Sequence, residues 1–176
     1  MDEATARPDP STPAPRTDRT RIRRHADRAV PERIEEFLRA GLVAHVACAE
    51  DGEPRVIPLL YHYETGHIYI HGSPGNATLG LLRDGRPVSV AVTQLVALVA
   101  SKSASGHTAN YRSVIAFGHA RDLPADYAPA TDDDLVRMEL TDIEIDEASA
   151  KMREGDPSGP HDSDLGCAGS AFVKPV

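Results

Sequence analysis

Two histidines stand where a side chain could move a proton near neutral pH. His71 follows the alternating apolar residues Ile68 and Ile70 and precedes a glycine-rich break; His107 lies in a polar stretch just ahead of Asn110. Imidazole titrates close to neutrality, so either could serve as acid or base on a small substrate, with Tyr111 as a phenolic partner. Each has a plainer reading: a satisfied structural histidine for His71, a solvated one for His107. Ser101, Ser103 and Ser105 alternate around Lys102. A Ser–Lys nucleophile needs a buried lysine that has lost its proton, and a lysine facing phosphate or solvent is the simpler expectation. The run Gly72-Ser73-Pro74-Gly75 is too short for a phosphate loop and lacks the Gly-Lys-Ser/Thr ending. His45, His62, His67, His119 and His161 show no metal-ligand spacing, and the first three fall on strand faces, so no metal site is expected. Tyr111-Arg112, at a strand start, could reach a ligand or divide between packing and solvent.

Composition narrows the classes. The chain has 176 residues, enough for one domain with a core plus tails. It contains no Trp and 5% aromatics, so Val, Leu, Ile and Ala must form the core. A net charge of −8 argues against sequence-independent nucleic-acid binding, which needs a basic surface. The charge is uneven: Arg16 to Arg28 is basic and Asp122 to Asp164 acidic. The basic run could neutralise an anionic ligand or form a solvated arm. No window approaches the roughly 20 apolar residues of a membrane span, and Met1 to Pro15 lacks a secretory signal's apolar stretch. Cys48 and Cys167 form no C-x-x-C pair; free thiols in a reducing cytosol are the simple reading, with a disulfide left open. A cytoplasmic protein is expected.

The elements that would position these residues are mostly strands. Residues 1–18 carry four prolines and cannot bury apolar surface, which predicts a disordered tail. Pro31 opens a short amphipathic helix with Ile34, Phe37 and Leu38 on one face, ended by Gly41. Leu42 to Ala49, Arg55 to Tyr63 and His67 to His71 read as an antiparallel meander joined by Asp51-Gly52 and Thr65-Gly66 turns. Ala77 to Arg83 reads as a helix, and Val88 to Thr93 and Leu95 to Ser101 as two strands. Ser103 to Asn110 reads as a loop, and Tyr111 to Asp122 as a long strand with a bulge at Gly118. Thr131 to Asp134 resembles a helix start. Met138 to Ile145 reads as a strand, Asp146 to Arg153 as a helix, and Ser170 to Lys174 as a weak strand. Six or seven strands with few helices imply a mainly β barrel with short peripheral helices.

Five pieces in order carry a resemblance: Arg21 to His25, Arg55 to Leu59, Ile68 to Ser73, Asn110 to Gly118 and Ile145 to Lys151. Together they resemble the flavin-nucleotide-binding branch of the pyridoxamine 5'-phosphate oxidase-like family, with nitroimidazole-resistance proteins as cousins. The resemblance spans Arg19 to the C-terminus and weakens after Asp122. It implies an FMN-binding split β-barrel over residues 19–153, with 154–176 as an extension packed on it. It also implies a homodimer whose interface holds two flavin sites. By that resemblance, His71, Gly72, Ser73, Asn76 and Ala77 hold the phosphate, and Arg55, Val56, Ile57 and Pro58 line the ring. Lys102, Ser103 and Tyr111 of the partner copy close the site.

This chain departs from the pattern. Asn76-Ala77 stands where family members carry Arg or Lys, Val96-Ala97 replaces an Asp-Gly pair, and Ser105 and Gly106 replace an aromatic and a histidine. About twenty residues of helix after Asp122 are missing. The leading expectation is an FMN-dependent oxidoreductase acting on a small molecule. The alternatives are a barrel that has lost flavin and performs acid/base chemistry through His71, His107 or Tyr111, and a non-catalytic cofactor binder.

Overall fold

Both tight turns take the left-handed backbone their sequences call for. In the computed structural model, which describes residues 18–73, 75–82, 85–122, 139–164 and 170–176, strands β1 (Val43–Glu50) and β2 (Glu53–Glu64) are joined by Asp51-Gly52, with φ of 52° and 85°. Thr65-Gly66, at 44° and 84°, joins β2 to β3 (His67–Gly72). Positive φ at both central residues is the type I′ geometry that matches strand twist. The expected tail before Asp18, the helix start at Thr131–Asp134 and Cys167 lie outside the described residues.

A single turn at Pro31–Arg33 leads into α1 (Ile34–Ala40), which buries Phe37 and Leu38. The Tyr61 hydroxyl donates to the Leu38 carbonyl at 2.5 Å, tying the helix to β2. Burial pushes that phenol up to about 12. After β3 comes α2 (Ala77–Leu82), with Leu79 and Leu82 in the core.

Where two strands were expected, one runs through: β4 (Pro87–Ala100). An irregularity between Leu95 and Ala97 adds a residue to the ladder and resets which side faces inward. Val88, Val90 and Val92 are buried before it, Ala97 and Val99 after it. β5 (Thr108–Asp122) begins three residues before Tyr111, and its register shifts at Phe117/Gly118; the extra residue is Asp146 of the partner strand, so the bulge expected at Gly118 lies opposite it and not in β5 itself.

The expected helix over Asp146–Arg153 is not formed. β6 runs unbroken from Glu139 to Arg153, pairing Arg153 with Tyr111 and Ala148 with Ala116. The segment's Ala, Glu, Lys and Met favour helix locally, but long-range pairing with β5 overrides that weak preference. β7 (Phe172–Pro175) pairs with β4.

All pairings are antiparallel, in the order β1-β2-β3-β6-β5-β4-β7, and β1 also pairs with β4. That extra pairing closes six strands into a ring around Val46, Ile68, Ile70, Val90, Val114 and Ile143. The architecture is a mainly β split barrel. Among the described residues, no helix is long and apolar enough to cross a membrane.

β3 is short and pairs only with residues 139–144 of β6. The rest of that β6 edge is met by the N-terminal segment Asp18–Val30, a strap across the barrel. Ala29 bridges to Lys151, and the Val30 N–H donates to the Ala150 carbonyl at 3.1 Å. At its start, Arg19 ion-pairs with buried Glu147, Thr20 donates to the same carboxylate at 3.4 Å, and the Arg19 guanidinium lies 4.8 Å over the Phe117 ring.

Candidate functional site

Strand alternation divides the expected ring-lining residues. Val56 and Pro58 point outward from β2, while Ile57 packs against the core. Arg55 is ion-paired with Glu50 at 3.0 Å at the end of the β1–β2 hairpin.

The outward side chains form cross-strand rows. One runs Pro58, His45, Ala91, Ile115, Ser149; the next runs Val56, Ala47, Ser89, Phe117, Glu147. Leu60 stands opposite Val43. Val56 and Leu60 are each 62% exposed, and Val43 and Ile115 about 40%. A sheet face this apolar, with one imidazole set into it at His45, is unusual for a surface in contact only with water. It offers a planar apolar molecule a bed of side chains.

His71, Gly72, Ser73 and Asn76 come together where β3 meets α2. The corner is filled by its own chain. Asn76 Oδ1 accepts from the N–H of Thr78 at 3.0 Å and of Leu79 at 3.3 Å, capping α2. A Cβ on Gly72 would fall 2.3 Å from Leu79 Cδ1, so the strand end is pressed against the helix. His71 and Ser73 are exposed. The N–H groups of Thr78 and Leu79 are therefore taken, and the described residues His71–Ser73 and Gly75–Ala77 include no Lys or Arg. The apolar face fits a flavin ring; this corner does not fit its phosphate.

Lys102, Ser103 and His107 lie in the β4–β5 connection. They are at the far end of β5 from the α2 corner: Thr108 of β5 pairs with Val99, whereas Asp122 pairs with Thr141, beside the Glu139 partner of Gly72. One chain thus does not bring the two predicted groups together. Tyr111 is half-buried, opposite Leu95 and Arg153.

The connection is bound to the segment after β6. Asp162 accepts from the Ser101 hydroxyl at 2.8 Å, the Lys102 N–H at 2.7 Å and the Gly159 N–H at 2.5 Å. Burial pushes the Asp162 carboxyl up, but these hydrogen bonds together outweigh it and hold the carboxyl below its ordinary value. Lys102 Nζ donates to the Asp164 carbonyl at 2.7 Å. His107 Nδ1 accepts the Ser101 backbone N–H at 3.1 Å, which places the neutral ring's proton on Nε2. In that tautomer His107 offers a donor, not a base. Ser, His and Asp meet here, yet the carboxylate holds the serine and not the imidazole, the reverse of a catalytic relay.

Composition gave no sign of two further features, the His67–Asp142 pair and the docked strap. His67 Nδ1 lies 3.0 Å from both oxygens of buried Asp142, and Tyr69 stacks between His67 and His62. The period-two spacing of His67 and Tyr69 was visible; the partner at Asp142 depended on the β3–β6 register. Among the described residues, no group of three or more His, Cys, Asp or Glu is arranged to hold a metal ion.

Comparison with known proteins agrees with this architecture. The chain is similar to the FAD and heme binding protein from Mycobacterium smegmatis, at 28% identity and a TM-score of 0.71, covering 82% of this chain and 81% of that one. It is similar to a flavocytochrome from Azotobacter vinelandii at 26% identity and a TM-score of 0.76, covering 94% and 86%. A candidate 5-nitroimidazole antibiotic resistance protein from Bacteroides thetaiotaomicron shares the fold at 16% identity and a TM-score of 0.57, covering 70% and 85%. No curated protein sequence matches. The sequence profile described as pyridoxamine 5'-phosphate oxidase matches residues 31–153, the strands and helices that make the barrel, and the chain belongs to that family.

Proposed function

We propose that this chain binds a flavin between two copies of itself and acts as a flavin-dependent oxidoreductase on a small molecule. The exposed apolar face around His45, with Val43, Val56, Leu60 and Ile115, carries the reading. A second copy would cover that face, and a planar ring would rest in the seam. Support also comes from the two relatives above 25% identity, one an FAD and heme binding protein and the other a flavocytochrome.

A bound flavin would supply hydride and electron transfer. The chain's own residues would do the rest. Val56 and Pro58 would exclude water from one side of the ring, and His107 would offer its Nε2–H as a donor. Since Lys102, Ser103 and Tyr111 lie far from the α2 corner in one chain, they would reach the ring from the partner copy. FMN is the form the sequence resemblance implies; FAD accords better with the relatives' names. Heme is a further ligand to test, with His45 the imidazole presented from an apolar surface.

The experiment is a titration of purified protein with FMN and FAD, followed by flavin fluorescence, beside sedimentation velocity. Expected are a dimer and saturable quenching. A monomer that leaves both flavins' fluorescence unchanged overturns the proposal.

A second reading is favoured by one observation: Asn76 occupies the donors of the phosphate corner. In that reading the barrel has lost flavin and works on a small metabolite by acid/base chemistry through His71, His107 or Tyr111, the two imidazoles being exposed. A colourless dimer that takes up neither flavin supports it. A non-catalytic flavin binder would instead be yellow and resist anaerobic reduction by a nicotinamide cofactor.

A further inference from the structure

Between the strap and the upper edge of β6 lies a cavity of about 370 Å³. That is within the usual range for small-ligand sites, roughly 300–1,000 Å³. Arg21, Thr20, Pro31 and Ser149 line it, with Asp18 the carboxylate among them. Arg21 lines it, and the same strap carries Arg23, Arg24 and Arg28, with Lys151 bonded to it from β6; the carboxylates of the strap are Asp18 and Asp27, and Glu147 is taken by Arg19 and Thr20. Among the described residues, none of those four arginines has a carboxylate within ion-pair distance.

In a chain of net charge −8 this concentration is distinctive. It is also fixed in place. Lys151 Nζ donates to the Arg24 carbonyl at 3.0 Å, Val30 is bonded to Ala150, and Arg19 and Thr20 are held by Glu147. His25 sits between them with a left-handed φ of 56°, an uncommon backbone for a non-glycine residue. Cations held this way repel one another and together attract a compact anion.

We propose that this cavity binds the phosphate or diphosphate group of a nucleotide. Arg21 and Ser149, which line it, would supply a guanidinium and a hydroxyl, and Arg24, Arg28 and Lys151 the field. Ser149 ends the cross-strand row that carries Ile115, Ala91 and His45, so Ala91 lies two strand spacings away, about 10 Å. A ring on the apolar face could therefore send its anionic tail to the strap, which would replace the phosphate corner that Asn76 closes. The phosphate site stands on the strap alone; its assignment to a flavin tail rests on the flavin reading.

Isothermal titration of the full chain with inorganic pyrophosphate tests the site itself. Saturable binding is expected, weakened by about tenfold or more in the Arg21→Gln/Arg24→Gln double variant. Both side chains are exposed, so the fold should survive, and circular dichroism checks it. His25 gives an independent readout. Arg28 first, then slight desolvation, Arg24 and Lys151 hold its imidazole below the ordinary value, against a smaller opposing pull from Asp27. Pyrophosphate should raise that titration in wild-type NMR spectra and not in the variant. Absence of binding, or equal binding by the variant, overturns the site.

Nucleotides then separate the sources. If the double substitution weakens FAD and FMN, the tail is the flavin's. If it spares both and weakens a reduced nicotinamide dinucleotide, the tail belongs to the electron donor. If it weakens none of them, the nucleotide assignment fails. A chain that binds pyrophosphate but neither flavin keeps the strap site and sinks the flavin reading.

Discussion

The Ser101 hydroxyl donates to Asp162 at 2.8 Å across sixty-one residues of sequence, and through this contact the β4–β5 connection is fastened to the segment beyond β6. Asp162 is an acceptor for three donors at once. Asp162→Ala should therefore release both partners. Hydrogen exchange should accelerate at Lys102, Ser103 and Gly159 while β1–β3 amides keep their protection. Because the folded carboxyl titrates below its ordinary value, its contribution is complete above pH 3.8 and fades as pH falls through the lowered value. Wild type should lose this local protection on acidification and the variant should show no such step.

Asn76 caps α2 through its side chain and opens the helix with its carbonyl, which accepts the Gly80 N–H at 2.9 Å. Asn76→Ala should cost about 0.5–2 kcal/mol in denaturant unfolding. Asn76→Asp should preserve most of the stability. An unchanged midpoint in the alanine variant would mean that the cap contributes nothing.

Gly118 of β5 faces the β6 bulge at Asp146, and an added Cβ would sit 2.0 Å from the Glu144 carbonyl oxygen. The obstacle is backbone, which cannot swing aside as a side chain can. Gly118→Ala should destabilise the barrel by about 1–3 kcal/mol or more, seen as a lower thermal midpoint.

Val56 and Leu60 are outward-facing and 62% exposed, so charge there disturbs no core. Val56→Glu/Leu60→Glu should leave the monomer's fold intact by circular dichroism, yet shift sedimentation to a monomer and abolish flavin quenching. A dimer that persists with flavin bound would place the interface elsewhere.

Much of the barrel was legible because its signals are local. Asp51-Gly52 and Thr65-Gly66 require positive φ, the valines of β4 alternate, and Pro31 and Gly41 bracket α1. The helix expected over Asp146–Arg153 shows the limit. Its residue types favour helix, while the alternation of Ala148, Ala150 and Met152 was equally present and became decisive only through pairing with β5. The candidate site was less legible. The order of motifs placed His71, Gly72, Ser73 and Asn76 in one corner, but the self-capping of α2 depends on a rotamer of Asn76. The grip of Asp162 on Ser101, and of Glu147 on Arg19, joins residues too far apart in sequence for any spacing rule.

The short β3 ends its pairing with β6 at Glu144, and farther along the same strand Ala29 and Val30 pair with Lys151 and Ala150. The strap therefore shields an otherwise bare strand margin. A chain trimmed to begin at Pro31 would keep every element of the ring and expose that margin, a template onto which another molecule's strand could add. Such a shortened protein should self-associate in a concentration-dependent way through backbone pairing, and residues 18–30 would then act as a guard on assembly as well as a contributor to the surface.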